Sequence, residues 1–185
     1  MKCKLSCGSM KFRGEVDAIY KLLILDVDGT LTDGAIYYGS NSTEIKGFNV
    51  KDGLILKVLP RLGIAVMLLT GRESEAVNRR ASELGATVKQ NIDDKLSVVR
   101  EVTIERGVEP MHCAYIGDDL NDYGAMRPCG FKACPADAAD EIREICDYVS
   151  PYGGGHGAVR DICEYMLRQV GKYDEFLSLF GALRE

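Results

Sequence analysis

Four short stretches carry side chains that could act on a phosphate ester. Asp26-Val27-Asp28-Gly29-Thr30 sets two carboxylates two residues apart, directly after an apolar run, with a glycine that permits a turn. Once the chain bends there, both acids can face one crevice. Oxygen donors suit a hard cation such as Mg²⁺, which keeps several waters while bridging to a phosphate. One carboxylate can attack phosphorus and carry the phosphoryl group. The other, near the leaving oxygen, can give up a proton and later activate water. Thr70-Gly71-Arg72 offers a hydroxyl and backbone amides for phosphate oxygens. Lys95 opens a helical run after Asp93-Asp94 and can neutralise a phosphoryl group. Gly117-Asp118-Asp119-Leu120-Asn121-Asp122 crowds acids that repel one another unless a cation lies between them. Each stretch also has a plainer reading. These are an Asp-Gly turn, a helix cap, a solvated lysine and an acidic helix start, the last accounting for Asp122 through the helix dipole.

The elements that must position these residues alternate in type. Apolar runs at 21–26, 64–70 and 112–118 read as buried strands, with shorter ones at 87–89, 131–134 and 148–149. Helical patterns fall at 52–62, 73–84, 94–106, 119–127, 138–145 and 157–170. Such alternation predicts an α/β fold, a single doubly wound parallel sheet with right-handed crossovers. Ligands of such sheets gather at the carboxyl ends of the strands, where Asp26, Thr70 and Asp118 stand. The residues 34–39 and 44–48, flanking Ser40-Asn41-Ser42-Thr43, read as a β-hairpin.

The 185 residues are 46% hydrophobic and 28% charged, with a formal net charge of −5. That balance suits one globular domain and argues against a nucleic-acid partner. No apolar stretch approaches the roughly 20 residues that cross a bilayer, so no membrane partner is expected. The seven cysteines show no metal-ligand spacing, and with no signal-peptide pattern a reducing cytoplasm is expected. Residues 1–20 read as a leader or short helix, 21–172 as the domain, with a hairpin flap at about 34–48, and 173–185 as a C-terminal tail with helical apolar spacing.

The ordered set Asp26-Val27-Asp28-Gly29-Thr30, Thr70, Lys95 and Gly117-Asp118-Asp119 resembles the four signature motifs of haloacid dehalogenase phosphatases. The resemblance implies Asp26 as nucleophile and Asp28 as general acid/base. It implies Mg²⁺ held by the Asp26 side chain, the Asp28 carbonyl and Asp118, with Asp119 supporting the metal site. Thr70 and Lys95 would hold the phosphoryl group. Leu31-Thr32-Asp33-Gly34, Phe48-Asn49-Val50-Lys51-Asp52-Gly53 and Gly154-Gly155-His156-Gly157-Ala158-Val159-Arg160 further resemble the 3-deoxy-D-manno-octulosonate 8-phosphate phosphatase subfamily, which has no large cap. That similarity runs from about 21 to 172. It implies a homotetramer whose hairpins close neighbouring active sites, and a phosphorylated sugar acid as substrate. Besides Asp28 and Lys95, substrate contacts are implied at Asn49, Val50, Lys51, Asp52, Gly53, Arg72 and Arg80.

Two positions depart from the subfamily: Lys57 and His156 stand where its members often carry arginine. Nine-carbon sialic-type 9-phosphates are therefore the alternative substrates. Arg72 and Arg80, eight residues apart, would share a helical face and could address a substrate carboxylate. Two other classes compete. Gly153-Gly154-Gly155-His156-Gly157-Ala158 loosely fits a dinucleotide-binding loop, but no βαβ unit follows it. A catalytically silent scaffold of the same fold would leave the clustered acids without a purpose.

Overall fold

The computed structural model describes residues 20–40 and 43–183. The expected leader, with Cys3 and Cys7, and the tip of the hairpin at 41–42 lie outside the described residues. Six parallel strands form the main sheet: β1 (Leu22–Leu25), β4 (Ala65–Leu69), β5 (Thr87–Lys89), β6 (Cys113–Ile116), β7 (Phe131–Cys134) and β8 (Tyr148–Val149). Their spatial order is β5-β4-β1-β6-β7-β8. A separate antiparallel pair, β2 (Tyr37–Tyr38) and β3 (Glu44–Ile45), forms the hairpin. The helices are α1 (Val50–Val58), α2 (Glu75–Leu84), α3 (Lys95–Arg106), α4 (Leu120–Met126), α5 (Asp140–Ile145), α6 (Ala158–Gln169) and α7 (Tyr173–Ser178).

The expected α/β sheet is present, and β1 shows why. All four of its residues are fully buried, as a central parallel strand covered on both faces must be. Leu23 and Leu25 join the core formed with α1, α2 and α6. Leu22 and Ile24 join the opposite core, with residues of α3, α4 and α5. Strand alternation thus turns the next residue after Leu25, Asp26, toward the α3 and α4 side. The connections from β1 and β6 leave in opposite directions, which opens a crevice between their carboxyl ends. Leu25 and Ile116 are partners across it.

Helix boundaries follow local chemistry. The helix expected over 52–62 begins earlier, because the Asn49 side chain caps α1 by accepting the Lys51 amide at 2.8 Å. It then tightens into a 3₁₀ turn at Leu59–Leu62, where Pro60 supplies no amide proton. The helix expected over 73–84 starts only at Glu75, after Ser74. Arg72 is therefore not on α2, and the shared helical face with Arg80 does not exist. Asp94 caps α3, which places Lys95 at its first residue.

Candidate active site

Asp26 extends the β1 ladder by one bond, its amide donating to the Ile116 carbonyl at 2.9 Å. Its carboxylate is buried, 4% exposed, and accepts from the Lys95 ammonium at 2.5 Å. Lys95, 2% exposed, also donates to Asp122 at 2.7 Å. Asp122 is fully buried and accepts two further bonds, from the Tyr115 hydroxyl at 2.8 Å and the Asp118 amide at 3.1 Å. Asp118 accepts from the Thr30 hydroxyl at 2.8 Å. Oxygens of Asp26, Asp118 and Asp122 all lie within 4.8 Å of one another.

Asp122 does stand in the first turn of α4, where the helix dipole favours an acid, and it has further partners. Four residues on from Asp118 it turns back beneath the strand end and becomes the anchor of Lys95. Asp119, expected to support a metal, is exposed and caps α4 by accepting the Leu120 amide at 2.7 Å. The turn also adds Asp122 to the cluster of Asp26 and Asp118.

Electrostatics follow from crowding in a dry site. Burial, then the Asp122 charge, holds Asp26 well above the usual carboxylate range, against the pull of Lys95. Burial pushes Asp118 up to about 6, with Asp122 adding to the rise and the Thr30 hydroxyl opposing it. Burial alone would lower Lys95, but Asp26 and Asp122 outweigh it and raise its pKa. Three carboxylates face one ammonium here, and all the donors are oxygens, which is the set a hard divalent cation takes. The residues fit Mg²⁺.

Two close approaches shape the loop that carries these acids. Gly29 has φ +96°, and a Cβ there would lie 2.1 Å from an Asp118 oxygen. Gly154 presses on the same loop: its Cβ would fall 1.8 Å from the Gly29 carbonyl oxygen. The glycine-rich segment 153–158 thus serves as packing against the acid loop.

The remaining predicted residues separate into groups. Thr70 lies beside Asp28, its hydroxyl 3.4 Å from Oδ2. The other Asp28 oxygen is taken by Lys46, a residue sequence reasoning passed over as part of the hairpin. Arg72 pairs with Glu44 of β3 at 2.8 Å. Arg80 lies elsewhere: it donates to the Asn49 carbonyl at 3.2 Å and sits over the Phe48 ring at 5.5 Å. Gly53 makes room for it, since a Cβ would lie 2.1 Å from Arg80 Nη2.

Asp52 is buried and its carboxylate accepts the Arg160 amide at the start of α6 at 2.7 Å, so this side chain joins two helices and faces away from solvent. Lys51 and Lys57 are exposed. Asn49 and Val50 line a cleft of about 410 Å³ together with Asp33, Phe48, Gly155 and His156. That cleft abuts the acid loop through Gly155, whose amide donates to the Thr30 carbonyl at 3.2 Å.

Known proteins are similar to this chain in sequence and fold. The 3-deoxy-D-manno-octulosonate 8-phosphate phosphatase of Escherichia coli is 40% identical over 156 residues, 84% of this chain and 83% of its own. The chain belongs to this family, within the haloacid dehalogenase superfamily. The Moraxella catarrhalis phosphatase of the same name, crystallised with magnesium, phosphate and a KDO molecule, superposes with a TM-score of 0.84 at 44% identity. The match covers 89% of this chain and 95% of that one. The cobalt-bound deoxy-D-mannose-octulosonate 8-phosphate phosphatase of Haemophilus influenzae gives a TM-score of 0.83 at 35% identity, over 92% of this chain and all of that one. No general protein-family model matches the sequence. No helix among the described residues is long and apolar enough to cross a membrane.

Proposed function

We propose that this member of the family is a Mg²⁺-dependent phosphomonoesterase that hydrolyses 3-deoxy-D-manno-octulosonate 8-phosphate through a phosphoryl-aspartate on Asp26. The observation that carries the reading is the buried Asp26 carboxylate, fixed by Lys95 at 2.5 Å, with Asp28 two residues beyond it in the same crevice. Support for the substrate comes from the Moraxella relative and its bound KDO, phosphate and magnesium.

The Asp26 and Asp118 carboxylates and the Asp28 carbonyl would hold Mg²⁺. Bound there, the ion would offset negative charge on the phosphoryl oxygens. An Asp26 oxygen forms the new bond to phosphorus as the ester P–O bond breaks, and Asp28 gives its proton to the departing sugar oxygen. Water then attacks the phosphoryl-aspartate, Asp28 takes a proton from it, and inorganic phosphate leaves with Asp26 restored. Lys95 and the Thr70 hydroxyl steady the transferring oxygens, and Asp122 keeps Lys95 in place. Asn49 and Val50 at the cleft, with Lys51, Arg72 and Arg80, are the proposed contacts to the sugar acid.

A homotetramer is proposed as well. The hairpin exposes Ile36, Tyr37, Tyr38 and Ile45, a run of apolar surface that a neighbouring copy could cover. The cytoplasm is the proposed location, in keeping with the free thiols of Cys113, Cys129, Cys134, Cys146 and Cys163. Nine-carbon sialic-type 9-phosphates are the second reading, favoured by His156, which is exposed at the cleft. A panel of sugar phosphates assayed with Mg²⁺, with EDTA and after Mg²⁺ is restored tests the function. The eight-carbon 2-keto-3-deoxy acid phosphate should be turned over fastest, and only with metal. A preference for hexose phosphates, or full activity without metal, would sink the reading.

A further inference from the structure

Lys46 is an unusual residue for an exposed hairpin. It follows β3, yet its side chain is only 1% exposed, and it points down to the Asp28 carboxylate. Its ammonium also contacts Glu44 at 2.9 Å, and Glu44 in turn takes Arg72 at 2.8 Å. Four charges of alternating sign, Asp28, Lys46, Glu44 and Arg72, therefore run from the crevice floor to the rim. The rim end is open, since the Arg72 side chain is 43% exposed. Burying an ammonium is costly unless acids surround it, so this chain of contacts is a built feature of the flap. Lys46 and Thr70 take one oxygen of Asp28 each, Thr70 at a long 3.4 Å, which leaves Lys46 as the main restraint on that carboxylate.

We infer that Lys46 is a positioning residue for Asp28, and that Glu44 links it to Arg72, so that the state of the rim guanidinium reaches the proton-transfer group. The inference rests on the role proposed above for Asp28 and adds the hairpin to the machinery. Lys46 holds the Asp28 carboxylate in the rotamer from which it can reach the leaving oxygen and the attacking water. An anion captured by Arg72, such as a sugar-acid carboxylate, competes with Lys46 for nothing; it competes with Glu44 for the guanidinium and so alters how firmly Glu44 restrains Lys46.

The test uses the Mg²⁺-loaded full chain and an aryl phosphate, which has no carboxylate. Lys46→Met should lower kcat by roughly tenfold or more while KM shifts less than about twofold, because general acid–base positioning acts on turnover. Lys46→Arg should recover most of the loss. In an Asp28→Asn background, Lys46→Met should cost nothing further, since a residue acting through Asp28 has no effect without it. Arg72→Ala should lower kcat for the same aryl ester by about threefold, and Glu44→Gln should remove that dependence. An unchanged kcat in Lys46→Met, or equal losses with and without the Asp28 carboxylate, would overturn the inference. If Lys46→Met does not fold, Glu44→Gln serves instead, with the same comparison in the Asp28→Asn background and the same two outcomes. A wild-type chain that hydrolyses neither the aryl ester nor the sugar-acid ester ends the proposed function and this inference together. Aryl turnover with Lys46 irrelevant ends the inference alone.

Discussion

At the crevice floor Asp26, Lys95 and Asp122 are all less than 5% exposed, and every contact between them comes from a strand end or a helix start of one sheet. At the flap, Tyr38 is 73% exposed and Ile45 is 55% exposed. The strands there pair over only two residues each, and the downward contacts that tie them to the crevice are ionic. The floor is buried and holds three carboxylates against one ammonium, a place where electrostatic interactions are strong and misplacement of a charge is costly. The flap is a short hairpin with apolar groups turned outward, a structure that is marginal by itself in water. The contrast matches the two proposals made above: phosphoryl transfer at the floor, and a flap that links the rim to Asp28.

The largest expected effect tests the floor as chemistry. Asp26→Asn keeps the shape and should abolish turnover, with a barrier rise of at least ~4 kcal/mol, or roughly a thousandfold in kcat. Retention of near-normal kcat on any good substrate would remove Asp26 as nucleophile. Next comes the floor as structure. Asp122→Ala leaves the buried Lys95 with only Asp26, and losing one partner of such a set costs ~3–5 kcal/mol. A urea unfolding midpoint that does not fall would show that Asp122 is not the anchor described here.

A third experiment addresses the flap. Replacing residues 34–48 with a short glycine linker should lower the oligomer mass in light scattering and reduce activity. A wild-type protein that is monomeric and active would break the proposed use of the hairpin. The smallest effect is an acid titration of the flap's ion pairs. Hydrogen bonds from Lys46 and then Arg72 lower Glu44 from its ordinary 4.5 to about 2. A depressed carboxylate contributes stability that is fully present above its unfolded value, near 4.5, and is lost as pH falls toward 2. Glu44→Gln should flatten the stability profile across that window, and a mutant profile identical to wild type would remove Glu44 from the account.

Much of the floor could be read in the one-dimensional pattern. A buried parallel strand has a continuous apolar signature, and the acids that end it stand out because burying a charge requires a reason. Hence the positions of β1, β4 and β6, and of Asp26, Thr70, Lys95 and Asp118, were visible in the residues themselves. The flap and the inward turns were not. Asp119 and Asp122 are both acids at a helix start, and only the three-dimensional turn of α4 sends one to solvent as a cap and the other beneath Lys95. Arg72 and Arg80 have helical spacing, but the helix begins after Ser74, so one reaches Glu44 and the other the Asn49 carbonyl. That Asp52 accepts the Arg160 amide of α6 could not be read from the chain either. Lys46 carries no signal at all, because a strand of two residues has too little periodicity to show which way its neighbour points. The sequence by itself determined the sheet and the acids at the carboxyl ends of its central strands, since burial and backbone pairing act along contiguous segments. Only the tertiary structure decided which distant charges meet, because pairs such as Lys95–Asp26 and Arg72–Glu44 join residues whose separation in the chain carries no information about their distance in space.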